Sequence, residues 1–142
     1  MKKQVNAAGI LFCAQNTGRH LFLLRNDKKL YSWSLPGGKV ERNETLLMAL
    51  ERECMEEIKF WSDRAKVFPI ERFTSDDGHF VYHTFYSIIP EEFIPQLNDE
   101  HLGYAWIDAA TFPKPLHRGL FNTLSYDIIR QKIAIIQRSI KE

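Results

Sequence analysis

The stretch from Glu44 to Ile58 constrains the fold more than any other part of the chain. Read as a helix, it puts Leu47, Leu50, Cys54 and Ile58 on one core-facing stripe. Glu53, Glu56 and Glu57 then share an arc of roughly 100° along the edge of that stripe. Carboxylates three and four positions apart approach to about 5–6 Å between Cβ atoms, so this edge repels itself. Glutamate is a good helix former, and three of them alone commonly make no more than a solvated face. Here the apolar stripe anchors the helix, so the carboxylates border a cleft. A hard cation with oxygen ligands removes the repulsion. Mg2+, which keeps several waters and takes phosphate oxygens as its remaining ligands, suits such a half-open face, with Mn2+ as the alternative ion.

On either side of this helix the pattern is that of strands. Gln4 to Ala14 is an apolar run that turns through Gln15-Asn16-Thr17-Gly18 into His20 to Arg25, which predicts a hairpin. Asn26 to Ser34 reads as polar loop, and Pro36-Gly37-Gly38 turns into the helix, with Asn43 as N-cap and Glu44 in an acidic first turn. Lys66 to Thr74 and His79 to Ile89 are strands about the turn Ser75-Asp76-Asp77-Gly78. Tyr104 to Asp108 is a further short strand. From Leu120 to Ile140, apolar residues at helical spacing predict one amphipathic helix lying across the sheet. The order predicts an α+β fold, an α/β/α sandwich with a mixed β-sheet between helices.

The 142 residues, 44% of them apolar, suit a single domain over 1–142 with a full core, and no linker divides them. A net charge of +1, from 19 basic and 18 acidic residues, argues against nucleic acid or membrane as partner and for a small molecule; a homodimer is left open. The apolar run after the N-terminal lysines is too short to span a membrane, which makes a cytoplasmic location the expectation. Cys13 and Cys54 stand in unrelated contexts with no CxxC, against zinc and against a disulfide.

Residues 38–60 resemble the Nudix hydrolase box, GX5EX7REUXEEXGU with U an apolar residue, and supply Gly38, Glu44, Arg52, Glu53, Glu56, Glu57 and Phe60 in register. Leu35-Pro36-Gly37-Gly38, with Trp33 ahead of it, is similar to the family's lead-in. Two positions depart from it. Cys54 fits an apolar site as a small thiol. Lys59 replaces the final glycine, which predicts an altered turn after the helix.

The resemblance implies the Nudix-type α/β/α sandwich, with the carboxylate face at the cleft floor. It also implies hydrolysis of a nucleoside diphosphate linked to another moiety, water attacking a pyrophosphate phosphorus with Mg2+ present. Carried over by position, Glu53, Glu57 and Glu56 are metal ligands, joined by the Gly38 carbonyl. Arg52 and Glu44 support the box loop, although as residues of one helix eight positions apart they would lie on different faces. Glu100, before the Tyr104 strand, is the general base by resemblance to relatives with a glutamate in such a loop; Glu57 or a metal-bound hydroxide is the alternative. Arg25 and Lys39 are phosphate contacts, or else plain surface cations. Trp33, Phe80, Tyr82 and Phe85 are candidates to stack a base, although Phe80, Tyr82 and Phe85 read rather as core, as aromatics in strands commonly do, with Trp33 the exception. His83 and His101 read as structural.

Patterns associated with NADH, coenzyme A, dinucleoside polyphosphate or ADP-ribose hydrolysis are not evident, and no proline follows Ser75 and Asp76 as ADP-ribose enzymes would have it. This leaves (deoxy)nucleoside triphosphates or nucleotide sugars. The segment from Leu97 to Arg118, with Trp106 and Pro115-Leu116-His117, resembles Nudix proteins of mixed specificity for GDP-mannose-type sugars and triphosphates. A catalytically inactive nucleotide-binding sensor would be marked by lost box carboxylates, and none is lost. An RNA-end pyrophosphohydrolase would call for a basic groove, which the charge balance does not favour.

Overall fold

The computed structural model describes residues 3–27, 31–108 and 111–141. Residues 28–30 of the loop expected between Asn26 and Ser34, and Lys2, lie outside the described residues. A seven-stranded mixed sheet forms the middle layer. Its strands are β1 (Val5–Ala14), β2 (His20–Arg25), β3 (Trp33–Ser34), β4 (Gly37–Lys39), β5 (Val67–Thr74), β6 (Phe80–Ile89) and β7 (His101–Ile107). The order runs β3-β2-β1-β6-β5, with β4 pairing β1 and β7 pairing β2. Long β1 and β6 run parallel at the centre, and the other pairs are antiparallel.

Alternation along the central strands builds two cores, because successive side chains leave a strand on opposite faces. Ala8, Ile10, Phe12, Leu21, Leu23, Phe85 and Ile89 meet Leu50 and Cys54 of helix α1 (Leu46–Glu57) and Ile58 at its C-cap. On the other face, Leu11, Cys13, Phe22, Tyr86 and Ile88 meet Leu120 and Leu124 of α2 (Arg118–Ser125) and Ile129 of α3 (Asp127–Lys141). This is the α/β/α sandwich expected. Among the described residues no helix is long and apolar enough to cross a membrane.

Several boundaries differ from expectation. The helix expected from Leu120 to Ile140 is broken at Tyr126, whose extended backbone (φ −77°, ψ 129°) caps α2 and turns the chain into α3. The apolar spacing continues through the break, which hides it in the sequence, and Ile128 is left exposed. α1 begins at Leu46 with Thr45 as N-cap, its hydroxyl accepting from Met48 N at 3.1 Å. Asn43 instead takes a left-handed turn (φ 72°), and Glu44 precedes the helix. Residues expected as loop, Trp33 and Ser34, make a two-residue strand on β2.

At the helix's other end, Lys59 takes the left-handed conformation (φ 56°) that the box reserves for glycine, so the turn is kept and not altered. A non-glycine residue there costs about 1–2 kcal/mol. Lys59→Gly is expected to stabilise the protein by about 0.5–1 kcal/mol after the extra chain entropy of glycine is deducted, measurable by urea unfolding. An unchanged or lower midpoint would contradict the assignment.

Candidate active site

The floor of the site comes from the phase of α1. Taking Glu53 as origin, Glu57 lies about 40° toward the Leu50–Cys54–Ile58 stripe and Glu56 about 60° away from it. Glu57 is accordingly buried at 3% side-chain exposure and Glu53 nearly so at 14%, whereas Glu56 is half exposed. The third carboxylate at the floor is not Glu56 but Glu100, from the loop before β7: oxygens of Glu53, Glu57 and Glu100 all fall within 4.8 Å of one another. Glu56 stands outside this triad, its Oε2 3.6 Å from Arg52 Nη1.

Arg52 organises the rest of the box. Its Nε and Nη2 grip Glu44 two-pronged at 2.8 and 3.0 Å, Nη1 donates to Glu53 Oε1 at 2.9 Å and Nη2 to the Lys39 carbonyl at 3.1 Å. The expectation that Glu44 and Arg52 lie on different helix faces fails because Glu44 is not helical. The turn at residues 41–44, closed by Glu44 N donating to the Glu41 carbonyl, returns its carboxylate to the guanidinium. The Arg52 hydrogen bonds hold Glu44 below the usual carboxylate range, and Arg52 is raised in turn.

Backbone approaches that only glycine permits complete the floor. A side chain on Gly37 would overlap the Ala8 carbonyl of β1, and Gly37 N donates to Glu57 Oε2 at 3.0 Å. A Cβ on Gly38 would stand 2.6–2.8 Å from the Glu53 carboxyl atoms. Gly38→Ala is therefore expected to displace Glu53 and cut turnover by roughly 10–100-fold, the loss typical when support of a metal ligand is disturbed. Steady-state rates at saturating Mg2+ check this, and a rate within twofold of wild type would contradict it.

Burial pushes the Glu57 carboxyl up to about 9, Gly37 N–H opposing and Glu53 and Glu100 adding to the rise. Glu53 is raised as well, chiefly by burial and against the pull of Arg52. His101 Nε2 lies 3.5 Å from Glu57 Oε1, and burial lowers its imidazole, so it offers no compensating charge. Carboxylates packed so closely, with Arg52 the one cation hydrogen-bonded to them among the described residues, form an oxygen donor set that fits a hard divalent cation.

The triad opens into a cleft of about 660 Å³ that Arg25, Gly38, Lys39 and Tyr82 also line. Trp33 does not line it. Its backbone bonds to Pro115 and His117, and its ring packs against the α2–α3 core. Phe80 is the converse case: it reads as core but is 37% exposed on the cleft wall, with its centroid 6.4 Å from that of Tyr82. Phe85 is core, as expected. Residues that sequence reasoning passed over include Glu71, Phe73 and Thr123, all on the cleft wall.

The NUDIX domain family model matches residues 3–126, and the chain belongs to the Nudix hydrolase family, enzymes that act on nucleoside diphosphate derivatives. No curated protein matches its sequence significantly. Among solved structures it is similar to a MutT NUDIX hydrolase from Burkholderia pseudomallei (23% identity, TM-score 0.71, covering 86% of this chain and 96% of that one). It is also similar to the NUDIX domain of Shewanella oneidensis NrtR complexed with ADP ribose (16%, TM-score 0.72, 94% and 90%). A third is the E. coli dihydroneopterin triphosphate pyrophosphohydrolase (25%, TM-score 0.60, 77% and 85%). At these identities the first two likenesses establish the fold alone.

Proposed function

We propose that residues 1–142 act as one Nudix domain that cleaves, with Mg2+ or Mn2+, the pyrophosphate linkage of a (deoxy)nucleoside triphosphate or nucleotide sugar. The observation that carries this reading is the Glu53–Glu57–Glu100 triad on the floor of a cleft of nucleotide size. A solved likeness described as a triphosphate pyrophosphohydrolase agrees with it. Glu53 and Glu57 would hold the cation, with the Gly38 carbonyl beside them and Glu56 at the rim. When bound, the cation neutralises charge building on the phosphoryl oxygens. Arg25 and Lys39, on the cleft wall, pair with the outer phosphate oxygens. Arg52 and Glu44 hold Glu53 and the box loop in register.

Glu100 is assigned as general base. Arg52 pins Glu53 and Gly37 N–H pins Glu57, whereas Glu100 is exposed on its loop and held by Asn98 Nδ2 at 3.2 Å, free to take the proton of an attacking water. Glu100→Gln should lower kcat by about 100-fold or more with little change in KM, within the range general-base removal produces. Unchanged turnover would return the role to Glu57 or a metal-bound hydroxide. The wider test is a screen of nucleoside triphosphates, nucleotide sugars and dinucleotides with Mg2+; inactivity on every class would defeat the hydrolase assignment. Cys13 and Cys54, buried in the cores on opposite faces of the sheet and not bridged to each other, suit a reducing, cytoplasmic location.

A further inference from the structure

One carboxylate of the cleft stands outside the triad. Glu71 reaches the cleft wall through an irregularity: Pro69 pairs with Phe85 and Glu71 with Thr84, so one extra residue is inserted in β5 at Ile70. Without it, strand alternation would set Ile70 opposite Thr84 and send Glu71 to the α1 side of the sheet. The bulge instead aligns Glu71 with Phe73, Phe80, Tyr82 and Thr84 on the cleft wall. Thr123 of α2 donates to Glu71 Oε1 at 2.6 Å, which fixes the carboxylate. No cation pairs with it among the described residues, and Oε2 has no hydrogen-bond partner there.

We propose that Glu71, positioned by Thr123, reads the nucleobase of the substrate and selects guanine; this deepens the hydrolase reading and rests on it. A carboxylate only accepts, and guanine presents two adjacent donors, N1–H and the N2 amino group, to its two oxygens. Adenine and cytosine set a ring-nitrogen lone pair beside their amino group, and uracil and thymine flank their single N–H with carbonyls. Each of these turns an acceptor on the carboxylate, a mismatch that a site built to hydrogen-bond punishes strongly. Phe73, two residues along β5 from Glu71 on the same cleft wall and 52% exposed, offers a face on which a base stacks.

The test is calorimetric binding of GMP, IMP and AMP, which contain no pyrophosphate linkage and so report recognition apart from turnover. The wild type should bind GMP at least about 10-fold more tightly than AMP, with IMP, which lacks the N2 amino group, between them. Glu71→Gln should erase that preference while leaving AMP affinity and the melting temperature near wild type, and Thr123→Val should weaken it. Equal affinities in the wild type, no detectable binding of any of the three, or a preference that survives in Glu71→Gln would overturn the assignment. A guanine preference in a protein that hydrolyses none of the screened compounds would leave this inference standing and remove the hydrolase reading instead.

Discussion

Glu57→Gln is expected to remove at least about 100-fold of the turnover and, in the same protein, to raise its stability. The loss follows from taking a charged ligand out of the triad, since even partners one shell further out commonly cost 10–100-fold. The gain has a separate origin. Glu57 is 3% exposed and pushed up to about 9 by burial, so at neutral pH the cation-free fold must hold a proton that the unfolded chain has released, and that uptake costs stability. Glutamine keeps an oxygen for Gly37 N–H and needs no such proton uptake, which is worth about 1–3 kcal/mol and several degrees in Tm for a chain of this size.

The pH dependence of that gain is fixed in sign. Between the ordinary glutamate value of 4.5 and about 9, the native state holds a proton that the unfolded chain has released, so without divalent cation the wild type loses stability as pH rises through this window. Glu57→Gln lacks that slope, so its advantage should be small near pH 4 and largest near pH 9, as urea unfolding at several pH values would measure. A variant less stable than wild type throughout would mean that Glu57 serves the fold and not the site.

Arg52→Ala should be costly in both respects. It leaves Glu44 and Glu53 without their guanidinium and frees the Lys39 carbonyl, so Glu53 loses its tether and the β4 turn its anchor. Breaking a buried pair by removing one partner costs about 3–5 kcal/mol; with Arg52 26% exposed, about 2–3 kcal/mol is expected here. Turnover should fall about 10–100-fold. Arg52→Lys should restore little, because an ammonium cannot reproduce the two-pronged grip on Glu44. Equal recovery by lysine would show that charge alone, not the fork, holds the loop.

Much of this site is legible from residue spacing, and the failures share a cause. Helical phase alone separates Glu57 from Glu56 once Leu50 and Cys54 are recognised as the docking stripe. The Arg52–Glu44 clamp is hidden because Asn43, which suits a helix N-cap as well as a left-handed turn, takes the turn, so the helix starts two residues later than expected, at Leu46. Tyr126 breaks the C-terminal helix in the middle of an uninterrupted apolar spacing, with neither glycine nor proline to mark it. Glu71 was invisible for a deeper reason: a bulge exists only relative to the partner strand, so the face of Glu71 depends on where β6 pairs. Trp33 was misplaced likewise, since its neighbours in the α2–α3 core lie far along the chain.

At the centre of the proposed function is the dependence of pyrophosphate hydrolysis on a divalent cation held by Glu53 and Glu57, with Glu100 as general base beside it. It is tested most directly by the initial rate on the best nucleotide substrate as Mg2+ is titrated from a chelated start, for wild type beside Glu57→Gln. No measurable rate is expected without the ion, with a saturable rise in the wild type and a response in the variant at least about 100-fold smaller. A wild-type rate indifferent to Mg2+, or equal curves for the two proteins, would contradict it.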